Sequence, residues 1–163
     1  MSIKTAVEDF LSNRPHKTGD TIQFGWFIFR VVSPGQPPKI ESLDFREMAS
    51  YTQNFSEVER IHHLQMAALA RFQVSESPCA LWHSAIVSLS YSPGRKDAFM
   101  KRDASASKND SGWYIGVRDE PRSMDDPGSF ERRSLYELTI RDMRTAAYWL
   151  LPQGKTVYLN ESA

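Results

Sequence analysis

The sequence predicts an α+β fold, a mainly antiparallel sheet with helices packed on it. Two observations lead there. Apolar residues recur at helical spacing in three separated segments, and short β-branched or aromatic runs, each bounded by Gly, Pro or Asp, lie between them. Their order along the chain suits strands gathered into one sheet and helices covering it.

The elements follow in order. Ile3, Val7, Phe10 and Leu11 mark an amphipathic helix that stops by Asn13, because Pro15 restricts Arg14 and cannot continue the ladder. After a turn at Gly19-Asp20, Ile22 to Val32 is apolar on both alternating faces and reads as one strand covered on both sides, with Arg30 its single charge. Ser33 to Pro38 holds three prolines and a glycine and makes a stiff loop. Leu43 to Tyr51 reads as a short helix with Phe45 and Met48 inward. Ser56 to Gln73 is the best helix, with Ser56 and Glu59 as a capping box and Ile61, Leu64, Ala68 and Phe72 as its apolar stripe. Ala80 to Tyr91 reads as a strand in which Val87, Leu89 and Tyr91 alternate with Ser88 and Ser90. A turn at Ser92-Pro93-Gly94, a strand over Asp97 to Lys101, a loop over Ala104 to Asp110 and a strand over Trp113 to Val117 come next. Arg118 to Gly128 is a charged loop, Ser134 to Tyr148 is mostly helical, and Thr156 to Leu159 is the last strand. The expected organisation is a single domain over residues 1–163, with 1–78 as an N-terminal helix and strand extension of a core over 79–163.

Composition narrows the function classes. Hydrophobic content of 40% in 163 residues builds a core without disulfides or metal. Basic and acidic residues balance at 20 each, and at 8 to 9 through Ala80 and 12 to 11 beyond it, so neither half carries the field of a nucleic-acid binder. The lone Cys79 forms no internal disulfide and suits a reducing compartment. Glu8 and Asp9 interrupt any secretory h-region, and no run approaches the roughly 18 apolar residues of a membrane span. The expected location is the cytoplasm.

Residues with catalytic or ligating chemistry are present in patterns that do not form a site. His62 and His63 are adjacent on a helix and point about 100° apart. With His83 and Cys79 they supply zinc-binding residue types without C-x-x-C or H-x₃-H spacing. Cys79 and His83, as nucleophile and base, would stand about 13 Å apart on a strand, and a buried structural thiol is the better reading. Asp119-Glu120 and Asp125-Asp126 interleave with Arg118, Arg122, Arg132 and Arg133, as in a solvated loop. Lys96, Lys101, Arg102 and Lys108 flank Phe99, but Asp97, Asp103 and Asp110 dilute their charge. Gly112 and Gly116 bracket Trp113-Tyr114-Ile115 without the Lys-Ser/Thr pair of a phosphate loop, and read as a bulge or a close backbone approach. Asp110-Ser111-Gly112 forms an Asx-type turn aiming Trp113 inward, and Leu151-Pro152-Gln153-Gly154 a turn ahead of the last strand. A small hydrolase using His83 or His62 with a carboxylate, and a nucleic-acid or adaptor module, remain as alternative readings.

Four pieces in order carry a resemblance over about 80–159: Ala85-Ile86-Val87-Ser88; Ala98-Phe99-Met100-Lys101-Arg102; Asn109-Asp110-Ser111-Gly112-Trp113; and Ser134-Leu135-Tyr136-Glu137-Leu138 followed by Leu150-Leu151-Pro152-Gln153-Gly154. Together they resemble a bacterial polymorphic-toxin immunity family, the thirty-third in the usual catalogue. The resemblance implies an antidote, not an enzyme, that binds one toxin domain and covers its active site, in systems of bacterial competition such as those served by type VI secretion. It implies no catalytic residue, cofactor or metal, and a toxin protein as partner in place of nucleic acid or membrane. The charged loop from Arg118 to Arg133 is then the expected contact surface, through Asp119, Glu120, Asp125, Asp126 and Glu131. Asp110, Ser111, Gly112, Trp113, Pro152 and Gly154 are expected to be scaffold.

Overall fold

The computed structural model describes residues 1–160 and shows an α+β architecture. The chain divides into two compact units, residues 1–63 and 64–163, with the division inside its longest helix.

In the first unit, helix α1 (Ile3–Ser12) starts where the Ser2 hydroxyl accepts from the Thr5 N–H, and it buries Ile3, Val7 and Leu11. An antiparallel meander follows, in the order β1 (Thr21–Phe24), β2 (Phe27–Ser33), β3 (Lys39–Leu43) and β4 (Tyr51–Thr52). The single strand expected over Ile22 to Val32 is thus a hairpin. Gly25, at φ +60, opens its two-residue turn. The turn hid in the sequence because its second residue, Trp26, is itself core, 1% exposed and stacked on Phe45 with centroids 5.6 Å apart. The helix expected over Leu43 to Tyr51 is also corrected: the segment is the loop joining β3 to β4. The Asp44 carboxylate accepts from the Arg46 N–H, the Asp44 N–H donates to Ser50 O, and Ala49 takes φ +59. Phe45 is buried there, but Met48 points to solvent.

Helix α2 (Ser56–Phe72) spans the length read from its periodicity. Its cap differs from the one expected. The Asn54 side chain accepts from the Ser56 N–H, and the Glu59 carboxylate accepts from the Lys4 N–H. Its buried stripe is Val58, Ile61, Gln65 and Ala68, while Leu64 and Phe72 are only half-buried. No helix of the described residues is long and apolar enough to cross a membrane.

The second unit is built on a five-stranded sheet ordered β8-β5-β7-β6-β9. Its strands are β5 (Ser84–Ser88), β6 (Ala98–Arg102), β7 (Asp110–Val117), β8 (Phe130–Ser134) and β9 (Thr156–Tyr158). Only the β5–β7 pair is parallel. The strand expected over Ala80 to Tyr91 shortens to β5, because Ala80 to His83 is a turn closed by the His83 N–H on Ala80 O. Leu89 falls past its end and is exposed. Strand β8 lies where only loop was expected. The helical stretch from Ser134 resolves into α3 (Leu135–Arg141), capped by the Ser134 hydroxyl, and a 3-10 helix over Met143–Tyr148, capped by Asp142. Ala85, Val87, Ala98, Met100, Trp113, Ile115, Val117 and Val157 supply the sheet's buried side chains. By the alternation of a strand, Ile86, Phe99, Lys101, Tyr114, Gly116 and Tyr158 fall on its other face.

Candidate functional site

The scaffold of the second unit converges on one buried cation. Arg102 is 6% exposed. Its Nε donates to Ser111 O at 3.0 Å, and its Nη1 donates to the carbonyls of Leu151 at 2.6 Å, Ser77 at 3.0 Å and Trp149 at 3.3 Å. Burial lowers the guanidinium from its ordinary pKa, and it stays charged. The Arg102 backbone receives Gly154 N–H and donates to Lys155 O, so the turn containing Pro152 and Gly154 is hung on the same residue.

Asp110, Ser111, Gly112 and Trp113 surround this centre. The Asp110 carboxylate accepts from the N–H groups of Ala106 and Gly112. The Ser111 hydroxyl donates to Ser84 O and accepts from the Trp113 N–H. Gly112 sits at φ +77, and a Cβ there would lie 2.2 Å from Asp103 O, so this position takes glycine alone. The Trp113 indole donates to Trp149 O at 3.1 Å and packs edge-on against the Trp149 ring.

Cys79 belongs to the same interior. Its thiol donates to Trp149 O, and burial pushes its pKa up to about 12 against the opposing charge of Arg102. His83 accepts from the Ala80 N–H through Nδ1, and its pKa is lowered, first by burial and then by the charge of Arg102. His62 packs edge-on against Phe27 in the first unit, whereas His83 belongs to the second. Among the described residues no group of three or more His, Cys, Asp or Glu side chains is placed to hold a metal ion.

The opposite sheet face is different in kind. Four aromatic side chains from four strands form a row across it. Tyr158 of β9 lies 6.4 Å from Phe99 of β6, Phe99 lies 5.8 Å from Tyr114 of β7, and Tyr114 lies 6.1 Å from Phe130 of β8. Ile86 of β5 is paired with Tyr114 and fills the floor between β7 and β8. Gly116 makes this possible. A Cβ there would meet the Tyr114 ring at 2.6–2.8 Å, so the missing side chain lets the ring lie down along the sheet. None of the four rings is fully buried, and Tyr158 is 37% exposed. Arg118 stacks its guanidinium 4.2 Å above the Tyr158 ring.

The loop between β7 and β8 folds back over this face. The Glu120 carboxylate ties it down, accepting from the Ser90 hydroxyl at 2.6 Å, from the Ser88 hydroxyl and from the Arg122 N–H. Burial would raise the Glu120 carboxyl, but these donors outweigh it and hold the pKa below its ordinary value. The Tyr114 phenol is pushed up, first by burial and then by the Glu120 charge. Met124 reaches the Tyr114 hydroxyl at 3.9 Å. A cleft of about 460 Å³ opens between Met124 and the Ile86, Phe99, Tyr114 and Phe130 floor, with Lys101 and Asp103 also in its lining. A second cleft, of about 270 Å³, shares Ile86 and Phe130 and runs on to Pro127, Glu131 and Arg132.

The five acidic residues singled out in the sequence differ in their surroundings. Glu120 is the loop's tether. Asp126 caps the short 3-10 helix Pro127–Ser129 by accepting from the Gly128 N–H. Glu131 is paired with Arg133, which also binds Glu137. Asp119 and Asp125 stand exposed on the loop. Sequence reasoning missed the aromatic row: Phe99 and Tyr114 read as ordinary strand residues, and Phe130 as part of a loop. The signal available was Gly116, two residues beyond Tyr114 and hence on its face.

Compared with known proteins, residues 64–163 match a family model, the Imm33-like domain. No curated protein and no solved structure matches the chain.

Proposed function

As the chain belongs to the Imm33-like domain family, whose match takes in the whole five-stranded sheet, we propose that it is an immunity protein. It neutralises a cognate bacterial toxin domain by stoichiometric binding that covers the toxin's active site, and it makes and breaks no bond itself. The observation that carries this reading is the face just described: an aromatic row and two joined clefts, half-open, on the sheet of the matched domain. Aromatic anchors in a partly desolvated cleft with a charged rim are the composition of a protein-docking surface.

In this reading the loop from Arg118 to Arg133 borders the contact. Asp119 and Asp125 supply charge that steers encounter and pairs with basic groups around the toxin's active site. Glu120, Asp126 and Glu131 act mainly by holding that loop and the neighbouring strand in place. The partner is a toxin exchanged between competing bacteria, met in the cytoplasm, with neither nucleic acid nor membrane as a ligand. Residues 1–78 extend the core.

Co-expression tests the reading. The chain should rescue cells from the toxin domain encoded beside its gene and co-purify with it at equal stoichiometry. The double variant Asp119→Lys/Asp125→Lys should bind about tenfold or more weakly, with unchanged circular dichroism. Failure of the wild-type chain to rescue or bind would refute the proposal. Unchanged affinity in the double variant would remove the loop from the contact.

A further inference from the structure

We propose that the larger cleft seats a cationic side chain of the toxin, an arginine or lysine, against the rings of Phe99, Tyr114 and Phe130. This deepens the immunity reading and rests on it.

Shape and charge together select this occupant. The floor is aromatic and apolar, and the cleft volume of about 460 Å³ takes one long side chain. The faces of aromatic rings carry negative charge density, so they attract a cation and repel a carboxylate or phosphate. This sheet face already binds one guanidinium in that way, that of Arg118 on Tyr158 at 4.2 Å. The rim continues the preference. Asp103 lines the cleft too, 3.2 Å from the Lys101 amine, and so cancels the one cation lining it. Asp125 and Asp126 lie in the chain between Met124, which walls the larger cleft, and Pro127, which lines the smaller. An incoming anion would meet the Asp103 carboxylate and the Glu120 charge that acts on Tyr114. A toxin that acts on a phosphate-bearing substrate presents arginine or lysine in its active site. Seating one of them in the cleft would therefore block the substrate directly.

Two measurements test this. The first is calorimetric titration of a catalytically inactive form of the toxin domain encoded beside the gene. Phe99→Leu and Tyr114→Leu keep apolar bulk but remove the π face, and together they should weaken binding about tenfold or more. Tyr114→Phe, which keeps the ring, should bind as tightly as wild type. Wild-type binding that the leucine variants leave unchanged overturns the cleft proposal and spares the immunity reading. No binding by wild type overturns both.

The second uses the wild-type chain and needs no toxin. In an NMR titration, N-acetyl-arginine amide should shift Phe99, Tyr114 and Phe130 ring resonances saturably, and the citrulline amide, its neutral counterpart, should not. Equal shifts from both, or none from arginine, overturn the proposal. So does a salt-sensitive shift of these rings by oligo(U), which would assign the face to single-stranded nucleic acid.

Discussion

Replacing Arg102 with methionine isolates the interaction that joins the two most distinctive sequence segments of the second unit. The substitution keeps an unbranched apolar stem and removes a guanidinium that four backbone carbonyls share. A hydrogen bond from a charged donor contributes about 1.5–3 kcal/mol, so the four together have a gross worth of roughly 6–12 kcal/mol. Relief of the cation's desolvation returns several kcal/mol of this. Trp149 O also keeps the Trp113 indole and the Cys79 thiol as donors, whereas Ser77 O, Leu151 O and Ser111 O lose the guanidinium. The expected net loss is about 3–5 kcal/mol, the range for breaking a buried charged cluster from one side. With a urea m-value of about 2 kcal/mol/M, the unfolding midpoint should fall by about 2 M. Arg102→Lys keeps the charge without the planar fork and should fall in between. Hydrogen exchange supplies a local readout: amides of Asp110 to Trp113 and of Leu151 and Gly154 should lose protection together. A methionine variant whose midpoint stays within about 0.3 M of wild type would refute the account of Arg102 as the organising centre.

Other consequences are independent of that centre. Gly116→Ala should tilt the Tyr114 ring off the sheet, because a Cβ meets it at 2.6–2.8 Å; toxin affinity should drop while the melting temperature barely moves, and a large loss of stability would contradict a role confined to the outer face. Burial alone would raise the Asp142 carboxyl, but its bonds from Arg144, Tyr91 and Gly94 outweigh this and hold its pKa below the ordinary value. The folded-state pKa is thus below the unfolded one, so the contribution is complete above about pH 4 and disappears as pH falls through the folded value. Asp142→Asn should therefore be less stable at pH 7 and lose less on acidification, and parallel pH profiles of the urea midpoint would rule this out. Cys79, with a thiol pKa near 12, should react with iodoacetamide at pH 8 only when the chain is unfolded; equal native and denatured rates would show that the thiol is reached in the folded state.

Much of the local structure was written in short-range patterns. Helices α1 and α2 follow from apolar spacing and from Pro15, and β6, β7 and β9 from β-branched and aromatic runs between turns. The failures have particular causes. Trp26 is both a turn residue and a core residue, so one hydrophobic run concealed a hairpin. Met48 kept helical spacing with Phe45, but Asp44 bonded its own backbone and Ala49 took a left-handed conformation. Strand β8, Phe-Glu-Arg-Arg-Ser, is an edge strand whose charges blunt its open side, so it carries no apolar alternation to detect. The bonds from Ser88 and Ser90 to Glu120 were likewise out of reach of the sequence, because nothing in its neighbourhood along the chain reveals those partners.

The amino-acid order alone settled the α+β class and the segments by which the second unit resembles immunity proteins, because periodicity, turn chemistry and short motifs are properties of neighbours. It also supplied every residue of the aromatic row, but as separate residues, three in strands and Phe130 in a loop. Only the tertiary structure made them one surface. Placing β7 between β5 and β6 aligns Phe99, Tyr114, Phe130 and Tyr158 across the sheet, and folding the Glu120 loop back gives them a wall. Alternation along a strand says which side chains share a face; which strands lie side by side, and hence which rings meet, is decided by pairing between segments far apart in the chain.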